Sequence, residues 1–209
     1  PSFYYQQEDF IRARQVGQSW SWSTARPTGL CDTAPGITRS MISLICAYAA
    51  ICKELELPLR FPGTEGNYHA LYQCTEALHL AKATTWMATE PKCANHDFNI
   101  TNGDTFRWSK LWPKFADYFN MELGPVQTID LVKHMGVMEP VWQRIVEKHD
   151  LVLQPLDQVA LWPYWRHLWT PDWDIVSSTM KARQFGFTEF VDSEEMFFQM
   201  FDHFRAEQV

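Results

Sequence analysis

Apolar positions recur along this chain with two periods, and the shift from one to the other divides it. In residues 4–15, Phe10, Ile11 and Arg14 are spaced for one helical face, and Gly17 punctuates the run. Residues 20–25 alternate large and small side chains, which predicts a strand. It ends at Arg26-Pro27, and a loop rich in Gly, Asp, Thr and Pro follows over 28–36. An alanine-rich apolar helix is predicted over 39–55, a short strand over 59–61 closed by Pro62-Gly63, and another strand over 69–73. A helix over 76–88 and a strand over 97–100, stopped by Asn102-Gly103, complete this part. Beyond it the period is helical. Residues 106–119 carry Trp108, Leu111, Trp112, Phe115 and Tyr118 at helical spacing, and helices are predicted over 128–135, 141–148 and 175–184. Residues 159–169 are dense in aromatics. Over 193–205 the stripe Met196, Phe197, Met200, Phe201, Phe204 marks a face packed on the core.

Strands alternating with helices, then helices alone, define an α/β class with parallel strands and a helical lobe. No GxGxxG or GxxGxxG turn occurs, so the chain does not include the first βαβ unit of a dinucleotide fold.

Composition narrows the function classes. Hydrophobic residues make up 46% and charged residues 21%, the balance of a globular chain. Ten tryptophans and fourteen phenylalanines are more ring area than a small core needs, which suits a large core or an aromatic pocket. A formal net charge of −7 argues against nucleic acid and against an anionic membrane surface as partners. No apolar run reaches the roughly 18 residues of a bilayer span. The opening PSFYYQQEDF has neither a basic nor an apolar signal region, and its start without methionine points to a chain cut from something longer. Five cysteines form no CxxC pair and the histidines no HExxH spacing. That pattern predicts a reducing, cytoplasmic setting without disulfides or a metal site.

Seven short motifs then appear in order. They are FYYxxED at 3–9, WSxxRP at 22–27, YAAICK at 48–53, LxFPG at 59–63, FNxxNGDxFxW at 98–108, the Leu111-Trp112 pair, and MKxxxxGF at 180–187. Together they cover nearly the whole chain. In this series the chain resembles the progesterone 5β-reductase and iridoid synthase-like family of extended short-chain dehydrogenase/reductases. The resemblance implies the C-terminal part of a Rossmann-like doubly wound parallel sheet plus a mostly helical substrate-binding lobe. Residues 1–102 would be the remainder of the NAD(P)-binding region and 103–209 the substrate region, interwoven with it. It further implies NADPH-dependent reduction of an activated C=C or a carbonyl in a small hydrophobic molecule, as in secondary metabolism, with a homodimer open as the assembly. The rival readings are a truncated, catalytically inactive binding module, and another extended short-chain activity such as an epimerase or dehydratase. Against the last, Asp9 stands where those enzymes keep the lysine of YxxxK.

By the same resemblance, the second tyrosine of FYY, Tyr5, is the catalytic residue and a cofactor contact. A phenol placed at the substrate carbonyl would stabilise the negative charge that hydride addition creates there. The family's catalytic lysine would lie upstream of Pro1. Leu30 would meet the nicotinamide carboxamide through its backbone, and Ile37, Thr38 and Arg39 form a second cofactor-contacting stretch. Tyr164 matches an aromatic gate over the substrate, with Trp165 beside it. The chain departs from the family at Thr28, where asparagine is common, and at Gly36-Ile-Thr-Arg, where the pattern is richer in serine and methionine. Asn102 and Asp104 are predicted to cap the next helix.

Overall fold

Ser40 starts the most deeply buried helix. Its Oγ accepts the Ile42 N–H at 3.2 Å and donates to the Asp32 carbonyl at 2.7 Å, so the preceding loop is tied to the cap. The helix it opens, Met41–Glu54, buries ten of its fourteen side chains, which requires neighbours on nearly every side. In the computed structural model, which describes residues 3–34, 36–152 and 154–208, those neighbours come from both ends of the chain.

The element order is α1 Phe3–Gln15, β1 Ser23–Pro27, β2 Leu30–Cys31, α2 Met41–Glu54, α3 Glu65–His69, β3 Thr75–Glu76, α4 Ala77–Thr89 and β4 His96–Ile100. Among the described residues the α-helices that follow are α5 Trp108–Tyr118, α6 Leu131–Met135, α7 Glu139–His149, α8 Leu156–Val159, α9 Trp165–Trp169, α10 Met180–Gln184 and α11 Ser193–Ala206. β1 pairs with β4 in parallel, Ala25 opposite Phe98, and β2 pairs with β3 in parallel, Leu30 opposite Thr75. Parallel pairs reached through intervening helices are the βαβ pattern expected from the sequence.

Three local expectations change. Residues 59–61 form a single bridge, Leu59 to Leu123, rather than a strand. The predicted strand over 69–73 begins inside α3, whose cap Thr64 accepts the Asn67 N–H, and only Tyr72 pairs, with Phe106. The helix predicted over 175–184 is present only as α10. Residues 174–177 instead run beside 71–73, with the Ile175 N–H on the Leu71 carbonyl at 2.8 Å.

One aromatic core joins the two regions. Phe61, Trp108, Trp112, Phe115, Trp169 and Phe197 are fully buried beneath α2 and α11. Trp108, Trp112 and Trp169 meet edge to face, with centroids 5.8–6.1 Å apart. Their indole N–H groups have no hydrogen-bond partner among the described residues. A smaller cluster around Phe98, Ile100, Met87 and Phe187 packs β4 against α4 and α10. Among the described residues, no helix is long and apolar enough to cross a membrane.

Candidate active site

β1 ends at Pro27, and the chain must turn sharply to begin β2. Gly29 allows it with φ +51°, and a Cβ there would sit 2.9 Å from Met41 Cε and 3.1 Å from the Tyr72 hydroxyl. Thr75 holds the turn. Its hydroxyl donates toward the Thr28 and Ile100 carbonyls and accepts the Thr28 N–H at 3.1 Å. The turn forms the floor of a cleft of about 850 Å³ between β1, α1 and the segment around Tyr164.

Tyr5 lines this cleft from α1 and is 65% exposed, open to a ligand. Opposite, Leu30, Arg39 and Tyr164 line it together. Tyr164 is carried on a 3-10 turn, Trp162–Tyr164, and is buried. Its hydroxyl faces the Leu30 backbone, and the Arg39 guanidinium lies 5.2 Å from its ring centroid. Burial pushes the Tyr164 phenol above its ordinary value, while the Leu30 backbone and Arg39 act the other way. The phenol therefore stays protonated at neutral pH. Thr38 contributes through its backbone, its carbonyl accepting the Leu161 N–H at 3.0 Å and tying the loop to the aromatic segment.

Three sequence-predicted residues do not line the cleft. Thr38 is tied to it only through its bond to Leu161. Ile37 lines two other depressions, one of them shared with Leu30 and Arg39. Trp165, expected beside the substrate, is buried in the aromatic core behind Tyr164, because successive residues of the turn point to different sides. Three residues that sequence reasoning left without a role do line the cleft: Glu8, Arg26 and Asn99. Each is a fixed letter of a motif, in FYYxxED, WSxxRP and FNxxNGDxFxW, which was the signal available. Arg26 grips Glu8 in a fork, Nε to Oε1 at 2.9 Å and Nη2 to Oε2 at 2.6 Å. That hydrogen bond holds the Glu8 carboxyl below its ordinary range and raises Arg26. Asn99 donates to the Ser178 carbonyl at 3.1 Å.

Asn102 and Asp104 do cap helices, but not the next one. Asn102 Oδ1 accepts the N–H of Glu76, the cap residue of α4, at 2.7 Å. The Asp104 carboxylate accepts the Ser193 N–H at 2.9 Å and the Ser193 hydroxyl at 2.6 Å, at the start of α11. The cap position of α5 is Arg107, with no side-chain bond.

Arg39 is the feature that fits a dinucleotide. Among the described residues it forms no ion pair with a carboxylate, and it lines the cleft together with Gly29 and Leu30 of the turn. Its charge suits a phosphate or ribose edge. The cleft thus fits the nicotinamide end, while a glycine-rich pyrophosphate turn does not occur in this sequence. Among the described residues no cluster of three or more His, Cys, Asp or Glu side chains is placed to hold a metal ion.

Parallel strands laced by helices, with a cleft at their ends, define a Rossmann-like α/β chain. An epimerase structure from Methanothermobacter thermautotrophicus shares that fold over 95% of this chain and 47% of its own, with TM-score 0.61 at 13% identity. The chain belongs to the family of the PRISE-like Rossmann-fold domain, whose model matches residues 1–209. It is 32% identical to an (S)-8-oxocitronellyl enol synthase of Nepeta racemosa over 98% of this chain and 54% of that protein. An uncharacterized protein of Schizosaccharomyces pombe is 28% identical over 100% of this chain and 61% of that protein. The chain thus spans little more than half the length of these curated relatives.

Proposed function

We propose that this chain supplies the substrate side of an NADPH-dependent reductase acting on activated C=C or carbonyl groups in small hydrophobic molecules. The observation that carries the reading is the meeting of Tyr5 with Leu30, Arg39 and Tyr164 around one cleft, from three segments far apart in sequence. NADPH, when bound, supplies the hydride. Tyr5 donates a hydrogen bond to the substrate carbonyl oxygen, where negative charge grows as hydride adds to the β-carbon. Tyr164, braced by Leu30 and Arg39, closes the cleft from the far side and presents a ring to an apolar substrate. The Arg39 guanidinium and the Leu30 backbone receive the nicotinamide end. A relative named for making an enol supports this chemistry, since conjugate addition of hydride to an enal gives an enolate first and an enol on protonation.

The test uses the complete protein. NADPH consumption is followed with 2-cyclohexen-1-one and 2-octenal as probes, for wild type and Tyr5→Phe. Loss of one oxyanion donor predicts a kcat lower by about 10²–10³ with unchanged circular dichroism. Equal turnover by Tyr5→Phe, or no NADPH consumption with either probe, would overturn the reading.

A further inference from the structure

The charges beside Tyr5 form a network that the chemistry above does not use. Glu8 receives the Arg26 fork and also meets Arg12 Nη2 at 3.3 Å. Asp97, at the start of β4, meets Arg26 Nη1 at 2.9 Å and Arg12 Nη2 at 3.5 Å. Lys181 of α10 donates to the Asp97 carbonyl at 2.8 Å. Two carboxylates and three cations therefore join α1, β1, β4 and α10.

Arg26 lines the cleft, yet each of its three nitrogens bonds one of the two carboxylates. Three of its five N–H donors and its charge are thereby engaged within the protein, so its contribution is to hold something in place. What it holds is α1. No described side chain of α1 is buried. Its links to the rest of the chain include this network, the Arg12 guanidinium over Trp22 at 5.2 Å, and Gln15 on the Trp20 carbonyl at 3.2 Å. Glu8 lies three residues after Tyr5, on the same helical face. A shift at Glu8 therefore moves the phenol along the cleft.

We propose that Glu8 and Arg26 are positioning residues that set Tyr5 over the reacting carbonyl. The inference rests on the reading of Tyr5 given above. It also assigns a task to two motif letters separated by eighteen residues. The fork suits the task because two parallel bonds fix orientation as well as distance, which a single lysine contact cannot do.

The experiment compares Glu8→Gln, Glu8→Asp, Arg26→Lys and the double variant Glu8→Gln/Arg26→Lys in the complete protein, with Tyr5→Phe as control. Turnover is measured with the two probes above, NADPH affinity by fluorescence, and amide exchange on the peptide covering 3–15. A misplaced phenol predicts kcat down about 10- to 100-fold in Glu8→Gln and Arg26→Lys, with unchanged KM and NADPH affinity. The double variant falls no further than either single one, and exchange over 3–15 accelerates in each. Glu8→Asp, which keeps the charge one methylene short, recovers part of both losses. Inactive Tyr5→Phe beside fully active Glu8→Gln and Arg26→Lys overturns the positioning role and leaves Tyr5 standing. Active Tyr5→Phe defeats the reading of Tyr5 instead, and the exchange rates alone then decide whether the pair holds α1: unchanged exchange overturns the inference.

Discussion

Replacing Asn102 should separate acceptor from donor in the junction that joins the strands to the last helix. The side chain is fully buried, and each end has partners. Oδ1 accepts the Glu76 N–H at 2.7 Å, while Nδ2 donates to Ser193 Oγ at 3.0 Å and lies near the sulfurs of Cys74 and Met196. Asn102→Ala strands the Glu76 N–H, removes the bond to Ser193 and leaves a small void, together about 3 kcal/mol. Asn102→Asp keeps the acceptor for Glu76 but turns the donor end into a second carboxylate beside Asp104. The Ser193 hydroxyl, with one proton, already serves Asp104. Burial and that neighbour raise the introduced carboxyl in the folded state above its unfolded value of about 3.9. Its cost is therefore small below that pH and grows as pH rises toward the folded value. Urea unfolding followed by tryptophan fluorescence, at pH values of about 4.5 and 8, measures both variants against wild type. A loss below about 1 kcal/mol for Asn102→Ala, or an Asn102→Asp penalty that does not grow with pH, would refute the account.

Two further predictions concern stability. Burial holds the His79 imidazole below its ordinary value, so the unfolded chain protonates first as pH falls; His79-linked stability is full above about pH 6.5 and declines below it. His79→Gln should flatten that decline in unfolding midpoints between about pH 7.5 and 5.5, and an unchanged slope would count against it. Gly63→Ala should cost about 2 kcal/mol or more, because a Cβ there would overlap the Trp169 carbonyl oxygen and lie 2.6 Å from Phe61 Cε1. A variant melting with wild type would show that this turn can open without loss.

The elements legible in the sequence are those whose own side chains carry the period. α11 and α5 each bury one stripe, and the stripes Met196, Phe197, Phe201, Phe204 and Trp108, Leu111, Trp112, Phe115 read directly as core. What stayed hidden depends on partners far away. Residues 175–184 read as a helix in the sequence, yet the Asp174 carboxylate accepts the Leu71 N–H and Gln73 Oε1 accepts the Ser177 N–H. Those bonds hold residues 174–177 extended, and neither partner is within a hundred residues. Asn102 and Asp104 show the same limit. A side chain that suits a cap was recognised, but the helix it caps was set by tertiary structure.

For the site, resemblance named the residues that would touch ligands, and geometry sorted them. Leu30, Arg39 and Tyr164 converge because one backbone bond, Leu161 to Thr38, brings the aromatic turn onto the loop. Trp165 could not be separated from Tyr164 by spacing, since adjacent residues on a 3-10 turn project about a third of a turn apart and only the packing decides which one meets the cleft. Glu8 and Arg26 stood out as motif letters, but their pairing was hidden for a further reason. A carboxylate and a guanidinium on separate elements carry no periodic signal, and their pairing exists only once α1 lies across β1. On the proposed reading, the motif letters of this chain fall into two groups: a few facing the cleft, and more whose bonds are spent within the fold. Tyr5 belongs to the first, Glu8, Arg26, Asn102 and Asp104 to the second, and the test that separates the groups is whether a substitution changes kcat alone or stability as well.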